Sequence, residues 1–206
     1  MKNLKSYKNL IFDCDGIILN SNKIKTEAFK EVVSHYGDKP AEELVKFHVM
    51  NGGISRYEKF NYFFETISSN HNLDKNSINV EKLIENYGSK VKKKLELCEI
   101  SIQIMQYRKY CYGDWYIVSG SDQNELINIF KKKKLKNSFN GGIYGSPMSK
   151  DEILKSIFKD KIDEISKSLY IGDSKYDYLA AKKIGIDFVF LSKWSEFQAI
   201  ENFAKN

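Results

Sequence analysis

Proline, cysteine and histidine are scarce in this sequence, and long apolar segments are missing from it. The 206 residues include 2 prolines, 3 cysteines and 3 histidines. So few prolines exclude a proline-rich linker protein, and the odd number of cysteines argues against a complete disulfide framework. No uncharged apolar run approaches the roughly 18 residues that a membrane helix needs. We therefore expect no membrane partner for this chain.

An export signal is also missing from the first residues of the sequence. Residues 1–7 carry neither a long apolar stretch nor a small-residue cleavage site. We therefore expect a cytoplasmic protein, in which a reducing environment keeps Cys14, Cys98 and Cys111 as free thiols.

The composition is that of a folded protein, with 42% hydrophobic and 29% charged residues. The net charge of +6 is compatible with an anionic substrate or with nucleic acid. Four lysines at residues 131–134 follow an apolar helical pattern, which is typical of the solvated end of an amphipathic helix. Because no groove-reading motif accompanies them, we expect no nucleic-acid partner. We expect a monomer or a homodimer, and the length suits one main core with a modest accessory unit.

Four short apolar runs predict strands that are buried on both faces, as in a parallel sheet. The runs are residues 10–12, 115–118, 169–171 and 188–191. Apolar patterns at helical spacing separate the later runs, around residues 126–130, 153–158 and 176–184. This alternation predicts an α/β fold with a Rossmann-like open parallel sheet.

The stretch between the first two predicted strands carries no comparable run. It has three apolar stripes at helical spacing instead, within residues 24–36, 57–67 and 83–95. Such stripes need one another to bury their apolar faces, so we predict an inserted bundle of helices. The predicted division is an α/β core domain and a helical cap domain. The core domain comprises residues 1–19 and 107–206, and the cap domain comprises residues 20–106.

Two of the predicted strands are each followed by a pair of aspartates. Asp13 and Asp15 follow the first strand, and Asp173 and Asp177 follow a later one. The carboxyl ends of parallel strands meet at one edge of a sheet, where ligands bind. Four carboxylates at this edge repel one another unless they share a hard divalent cation. Their oxygen atoms favour Mg²⁺, so we expect a magnesium site there.

Two weaker features complete the set of candidate residues. Ser119 and Gly120 follow the run at residues 115–118, beside backbone amides that open a helix and can hold phosphate oxygens. Ser121 competes with Ser119, but Ser119 directly follows the apolar run and is preferred. Lys150 follows a turn and can place a positive charge against both a phosphate and the carboxylates.

In their order along the chain, these segments resemble the four motifs of the haloacid dehalogenase superfamily of phosphatases and phosphomutases. Residues 13–16 resemble its DxDG signature, and residues 172–177 resemble its GDxxxD motif. Ser119 is similar to the hydroxyl residue of the second motif, and Lys150 is similar to the lysine of the third. The helical insertion stands where phosphoglycolate phosphatases and β-phosphoglucomutases carry their cap.

The resemblance implies a Mg²⁺-dependent phosphatase that hydrolyses a small phosphorylated metabolite, such as a sugar phosphate or phosphoglycolate. Asp13 would attack phosphorus and form an aspartyl-phosphate. Asp15 would act as general acid and then as general base. Ser119, Gly120 and Lys150 would hold the transferring oxygens.

The resemblance also implies how Mg²⁺ would be held. The Asp13 carboxylate, the Asp15 backbone carbonyl and Asp173 would be its ligands. Asp177 would support the metal shell or orient Lys150.

The substrate is less well defined by the sequence, and two other functions stay open. Residues 52–56 form a loop between predicted cap helices, from which Arg56 is a candidate to bind an anionic group of the substrate. A phosphomutase of the β-phosphoglucomutase type would use the same nucleophile. A non-enzymatic phospho-receiver or binding module would share the acidic site, but receivers are shorter and carry no cap.

Overall fold

The fold is a five-stranded parallel sheet, seen in a computed structural model that describes residues 4–197. In chain order the strands are β1 Asn9–Phe12, β2 Asp114–Asp122, β3 Gly142–Ser146, β4 Ser168–Gly172 and β5 Asp187–Phe190. Their order across the sheet is β3-β2-β1-β4-β5. The predicted Rossmann-like α/β fold is confirmed. Because β1 pairs with both β2 and β4, the residues that follow these three strands come together at one edge.

Eight helices are described besides short 3₁₀ turns. They are α1 Asn22–Val33, α2 Asp38–Met50, α3 Arg56–Tyr62, α4 Val80–Leu97, α5 Ile102–Tyr107, α6 Gln123–Lys132, α7 Lys150–Phe158 and α8 Lys175–Ile184. Helix α3 continues through one π-helical turn, Phe63–Ile67, and a last α-turn, Ser68–Asn70. The first five helices occupy the stretch between β1 and β2, where the sequence predicts an insertion of helices. None of the described helices has the length and apolarity that crossing a membrane would require.

Alternating side chains of the central strands serve two different apolar layers, as the period of a strand requires. Leu10 and Phe12 pack into one layer, which also contains residues of α6 and of the inserted helices. Ile11, between them, packs into the other layer with residues of α7 and α8. The sheet is therefore covered on both faces. One of these layers runs without interruption into the insertion.

Three elements are absent from the sequence prediction: β3, α2 and the short helix α5. Strand β3 lies at the edge of the sheet, and only two of its five residues, Ile143 and Tyr144, are apolar and larger than alanine. Helix α2 begins with a charged turn that includes Pro40, a residue tolerated only near the start of a helix.

The ends of the helices follow the capping chemistry of the sequence. Ser149 and Ser174 each form a capping box with the residue three positions later, so that α7 and α8 begin directly after the loops they cap. Helix α8 ends at Gly185, which is left-handed with φ of 88°, a conformation that favours glycine at the end of a helix. Cys14, Cys98 and Cys111 are free thiols.

Candidate active site

A cavity lies between the carboxyl ends of the strands and the inserted helices. Asp13, Asp15, Gly120, Ser121 and Asp173 line it from the sheet side. The inserted helices and their loops contribute much of the remaining wall, including Asn22, Lys25, Phe29, His48, Gly52, Gly53, Arg56, Lys59 and Tyr87. Ser174 and residues 195–197, which follow β4 and β5, also line the cavity. The two aspartate-bearing strand ends predicted from the sequence thus meet in one place.

Asp13 directly follows the central strand and is almost completely buried. Its Oδ1 accepts a hydrogen bond from the Cys14 amide at 2.7 Å, and its Oδ2 lies 3.0 Å from Lys150 Nζ. Burial, opposed by the charge of Lys150 and reinforced by the nearby Asp177, raises the pKa of Asp13 to about 7. An Asp13 carboxylate therefore needs a further cation to be fully stabilised.

Asp173, at the end of β4, is in the same electrostatic situation. Burial, followed by the charges of Asp13 and Asp177, raises the pKa of Asp173 to about 8. One oxygen, Oδ2, accepts a hydrogen bond from Asn22 Nδ2 at 2.7 Å. Asp13, Asp173 and Asp177 each offer a carboxylate oxygen, and these three oxygens lie within 4.8 Å of one another.

This arrangement fits a hard divalent cation. The donors are carboxylate oxygens, they are buried and mutually repulsive, and a positive charge among them would relieve the raised pKa values of Asp13 and Asp173. Gly16 lies against the Asp173 carboxylate, and this close contact supports the same arrangement of carboxylates. A Cβ at this position would lie 2.0 Å from Asp173 Oδ2, so only glycine leaves Asp173 in its place.

Asp177 makes hydrogen bonds with both of its oxygens. Oδ1 accepts from Lys150 Nζ at 2.5 Å and from Tyr170 Oη at 2.8 Å. Oδ2 accepts from the amide of Ser174 at 3.1 Å and from its hydroxyl at 2.6 Å. Since four donors already surround this carboxylate, its contacts favour the orientation of Lys150 over direct binding of a metal.

Lys150 lies at the first position of α7 and is completely buried between two carboxylates. Burial alone would lower its pKa, but Asp13 and Asp177 raise it above the usual lysine value. Lys150 is therefore a permanent cation beside Asp13. Such a charge can hold an anionic oxygen next to the Asp13 carboxylate.

Asp15 makes an ion pair with a residue of the insertion. Its Oδ2 lies 2.7 Å from Lys25 Nζ of α1 and accepts a hydrogen bond from Ser121 Oγ at 2.6 Å. Its Oδ1 accepts from Ser21 Oγ at 2.5 Å. Although burial acts in the opposite direction, Lys25 and the hydroxyls of Ser121 and Ser21 hold the pKa of Asp15 well below its usual range. Asp15 is therefore a carboxylate in this state of the protein.

The two serines of β2 have different surroundings. Ser119 is completely buried, and its hydroxyl oxygen accepts a hydrogen bond from the Ser121 amide at 3.1 Å. Ser121 lines the cavity and contacts both Asp15 and Lys25 Nζ. The contacts therefore place the hydroxyl of Ser121, the competing candidate, at the cavity wall.

The loop before α3 covers the end of β2. A Cβ at Gly120 would lie 2.2 Å from the carbonyl oxygen of Gly53, so the two backbones are in direct contact. Arg56, the first residue of α3, is buried with Nη2 2.6 Å from Glu125 Oε1 of α6. Its guanidinium also lies 4.7 Å from the centre of the Tyr87 ring. Arg56 thus lines the cavity and links the insertion to the α/β core.

Three basic residues of the cavity wall are not among the candidates from the sequence: Lys25, His48 and Lys59. They lie on three different helices of the insertion. Lys25 and Lys59 occur among the apolar stripes of α1 and α3, which is an unusual position for lysine. That signal was available in the sequence, but it does not indicate which carboxylate or ligand each lysine faces.

Comparisons with known proteins give one family match and several structural neighbours. The model of the family described as haloacid dehalogenase-like hydrolase matches residues 10–191. No curated protein matches the chain at a significant level.

Several solved structures share the fold. A predicted phosphatase from Clostridium acetobutylicum superposes with a TM-score of 0.71 at 17% identity, over 96% of this chain and 90% of that one. A haloacid dehalogenase-like hydrolase from Streptococcus pneumoniae gives 0.69 at 18% identity, over 97% and 90%. A predicted phosphoglycolate phosphatase from Haemophilus somnus gives 0.68 at 13% identity, over 92% and 87%.

Proposed function

Because the chain belongs to the haloacid dehalogenase-like hydrolase family, we propose that it is a phosphatase. Its substrate would be a small phosphorylated metabolite, such as a sugar phosphate or phosphoglycolate. The observation that carries the proposal is the position of Asp13, buried in the cavity beside the cationic Lys150 and within reach of a second acidic strand end. Helices of residues 20–106 would form the cap over this site.

Mg²⁺ is the proposed cofactor, held by Asp13 and Asp173 with the backbone carbonyl of Asp15. When bound, it would supply positive charge that offsets the repulsion between a carboxylate nucleophile and a phosphate. Asp177 would serve this site through Lys150, to which it accepts a hydrogen bond at 2.5 Å.

In the first step, a carboxylate oxygen of Asp13 attacks phosphorus, and the bond from phosphorus to the ester oxygen breaks. Lys150 holds a phosphoryl oxygen while charge develops on it. Gly120 and Ser121, which line the cavity at the end of β2, are the proposed further contacts of the phosphoryl oxygens. Ser119, the residue preferred from the sequence, is completely buried and would act through its hydrogen bond with the Ser121 amide. The product of this step is an aspartyl-phosphate on Asp13 and an alcohol.

Asp15 is the proposed general acid and base. In the second step it removes a proton from the water that attacks phosphorus, the bond from phosphorus to the Asp13 oxygen breaks, and phosphate leaves. The ionised form of Asp15 suits this role. Its first role, donation of a proton to the leaving alcohol, requires a protonated Asp15. The contact with Lys25 must therefore loosen when the substrate binds, because this ion pair favours the carboxylate.

Phosphate release by purified protein tests the proposal. We expect Mg²⁺-dependent release from at least one ester in a set of sugar phosphates, phosphoglycolate and nucleotides. Asp13→Asn should lower the rate at least about a thousandfold, since it removes the nucleophile. Conversion of a hexose 1-phosphate to its 6-phosphate without free phosphate would instead identify a mutase. An Asp13→Asn protein with the wild-type rate would exclude the proposed mechanism.

A further inference from the structure

Four basic side chains in the described part of the chain are almost completely buried: Lys25, Arg56, Lys59 and Lys150. Three of them form ion pairs, Lys25 with Asp15, Arg56 with Glu125, and Lys150 with Asp13 and Asp177. Within residues 4–197, no carboxylate oxygen lies within ion-pairing distance of Lys59. The cavity therefore contains one buried lysine whose charge the described protein does not neutralise.

Lys59 is nevertheless held in a defined position. Its Nζ lies 2.8 Å from His48 Nδ1 and 5.5 Å from the centre of the Phe29 ring. The His48 ring itself packs on Phe29, with ring centres 4.5 Å apart. Removal from water, followed by the charge of Lys59, keeps the pKa of His48 well below its usual value, so that the ring is neutral. His48 therefore positions the amine of Lys59 without compensating its charge.

The surroundings of Lys59 are unfavourable for a cation. Burial, followed by the charge of Lys25, lowers the pKa of Lys59 to about 7, and Lys150 acts in the same direction. The charges of Asp15 and Asp13 oppose this effect. A buried cation without an anionic partner costs several kcal/mol, so a protein retains one most readily where a ligand supplies the anion.

We propose that Lys59 recognises a second anionic group of the substrate, a carboxylate or a second phosphate, besides the phosphoryl group that is transferred. This inference rests on the phosphatase function proposed above. Lys59 and Asp13 line the same cavity, Lys59 from α3 of the insertion and Asp13 from the sheet. The substrate is then a short molecule that carries anionic groups at two ends. Arg56 is less suited to this task because Glu125 already accepts a hydrogen bond from its guanidinium.

Three esters with one two-carbon skeleton test the proposal: 2-phosphoglycolate, 2-hydroxyethyl phosphate and ethane-1,2-diyl bisphosphate. The second group is a carboxylate, a neutral hydroxyl and a phosphate, respectively. We expect wild-type kcat/KM to be higher for one or both of the esters whose second group is anionic than for 2-hydroxyethyl phosphate. In Lys59→Met and Lys59→Gln this preference should fall about ten- to hundredfold, because a charge-assisted hydrogen bond is lost. The kcat/KM for 2-hydroxyethyl phosphate should change much less.

Lys30→Met is the matched control, since Lys30 is an exposed lysine of α1 outside the cavity, and it should keep the wild-type preference. An equal loss of rate for all three esters in Lys59→Met would show a merely structural role. An unchanged preference would show that Lys59 does not contact the second group. Either result overturns the proposal.

Failure of the proposed phosphatase function gives a different result, namely no phosphate release from any ester with wild-type protein. The proposal for Lys59 is then decided by calorimetric titration of the same three esters into wild-type and Lys59→Met protein. Tighter binding of the carboxylate or bisphosphate ester that is lost in Lys59→Met supports it. Equal affinities in the two proteins overturn it.

Discussion

At the scale of single residues, the site is defined by which charges are paired. Lys150 and Lys25 are bound to carboxylates and stay cationic, whereas burial lowers the pKa of Lys59 to about 7. The paired lysines keep Asp13 and Asp15 in place. Lys59 has no carboxylate partner within residues 4–197, and the proposed anionic ligand would offset the cost of its buried charge.

The unpaired charge of Lys59 gives a stability prediction with a definite sign. An unfolded lysine has a pKa of about 10.4, so between about pH 7 and pH 10.4 the unfolded state binds a proton that the folded state has lost. The contribution of Lys59 to the free energy of unfolding therefore rises with pH in this window. Below pH 7 the full cost of the buried charge is present. Lys59→Met should be more stable than wild type at pH 6, by about 1–4 kcal/mol.

Denaturant unfolding at pH 6 and at pH 8.5 measures this difference. The advantage of Lys59→Met over wild type should be smaller at pH 8.5, whereas Lys30→Met should show no pH-dependent change. A Lys59→Met protein that is less stable than wild type at pH 6 contradicts the assignment of a costly buried charge.

At the scale of elements, the loop before α3 and the end of β2 meet through backbone atoms. Gly53 and Gly120 allow this contact, and a side chain at Gly120 would displace the loop. Since Arg56 and Lys59 follow this loop on α3, its position also determines where their charges lie in the cavity. The fit of the insertion to the sheet thus depends on one small residue in β2.

Gly120→Ala should lower kcat/KM about ten- to hundredfold, because a shift of about 1 Å in the loop displaces the cavity wall. Gly88→Ala is the matched control. Gly88 lies inside α4, and an added Cβ would meet only Arg56 Nη1, at an ordinary 3.5 Å. Alanine favours helix by about 0.5–1 kcal/mol over glycine, so Gly88→Ala should raise the free energy of unfolding by that amount. Steady-state kinetics of Gly120→Ala and Gly88→Ala measure kcat/KM, and denaturant unfolding measures their free energies of unfolding. Equal effects of the two substitutions would contradict the proposed role of the contact.

The sequence predicts the elements whose pattern is strong and local. β1, β2, β4 and β5 are apolar runs, and the aspartates after β1 and β4 come together because the strands are parallel and adjacent. β3 was not predicted because an edge strand needs little apolar sequence. α2 was not predicted because its first turn is charged. The lysines at positions 25 and 59 were missed for another reason. Their contacts depend on how α1 and α3 pack against the sheet, which no local pattern specifies.

At the scale of the whole molecule, the insertion and the sheet share one apolar layer. This layer includes Trp115 of β2 and Phe29 and Phe60 of the insertion, all fully or almost fully buried. Removal of the insertion would expose part of one face of the sheet to water, since α6 would cover only the rest. The two parts are therefore expected to support each other's stability.

A single cooperative unfolding transition is the consequence that can be measured. In a Trp194→Phe protein, tryptophan fluorescence reports only on Trp115 in the sheet, whereas far-UV circular dichroism is dominated by helices, many of them in the insertion. The two signals should give the same midpoint and the same slope in denaturant. Separate transitions would show that the insertion unfolds on its own.

The central position of β1 has a consequence for synthesis of the chain. β1 precedes both of its neighbours, and its residue Asn9 contacts Ser168, which lies 159 residues later. Contacts this distant in sequence form slowly, and the strand that presents Asp13 stays unpaired on one side until β4 has left the ribosome. A nascent or truncated chain therefore exposes a bare strand edge that must be protected from aggregation. Asp13, the proposed nucleophile, gains its electrostatic setting only when nearly the whole polypeptide has been made.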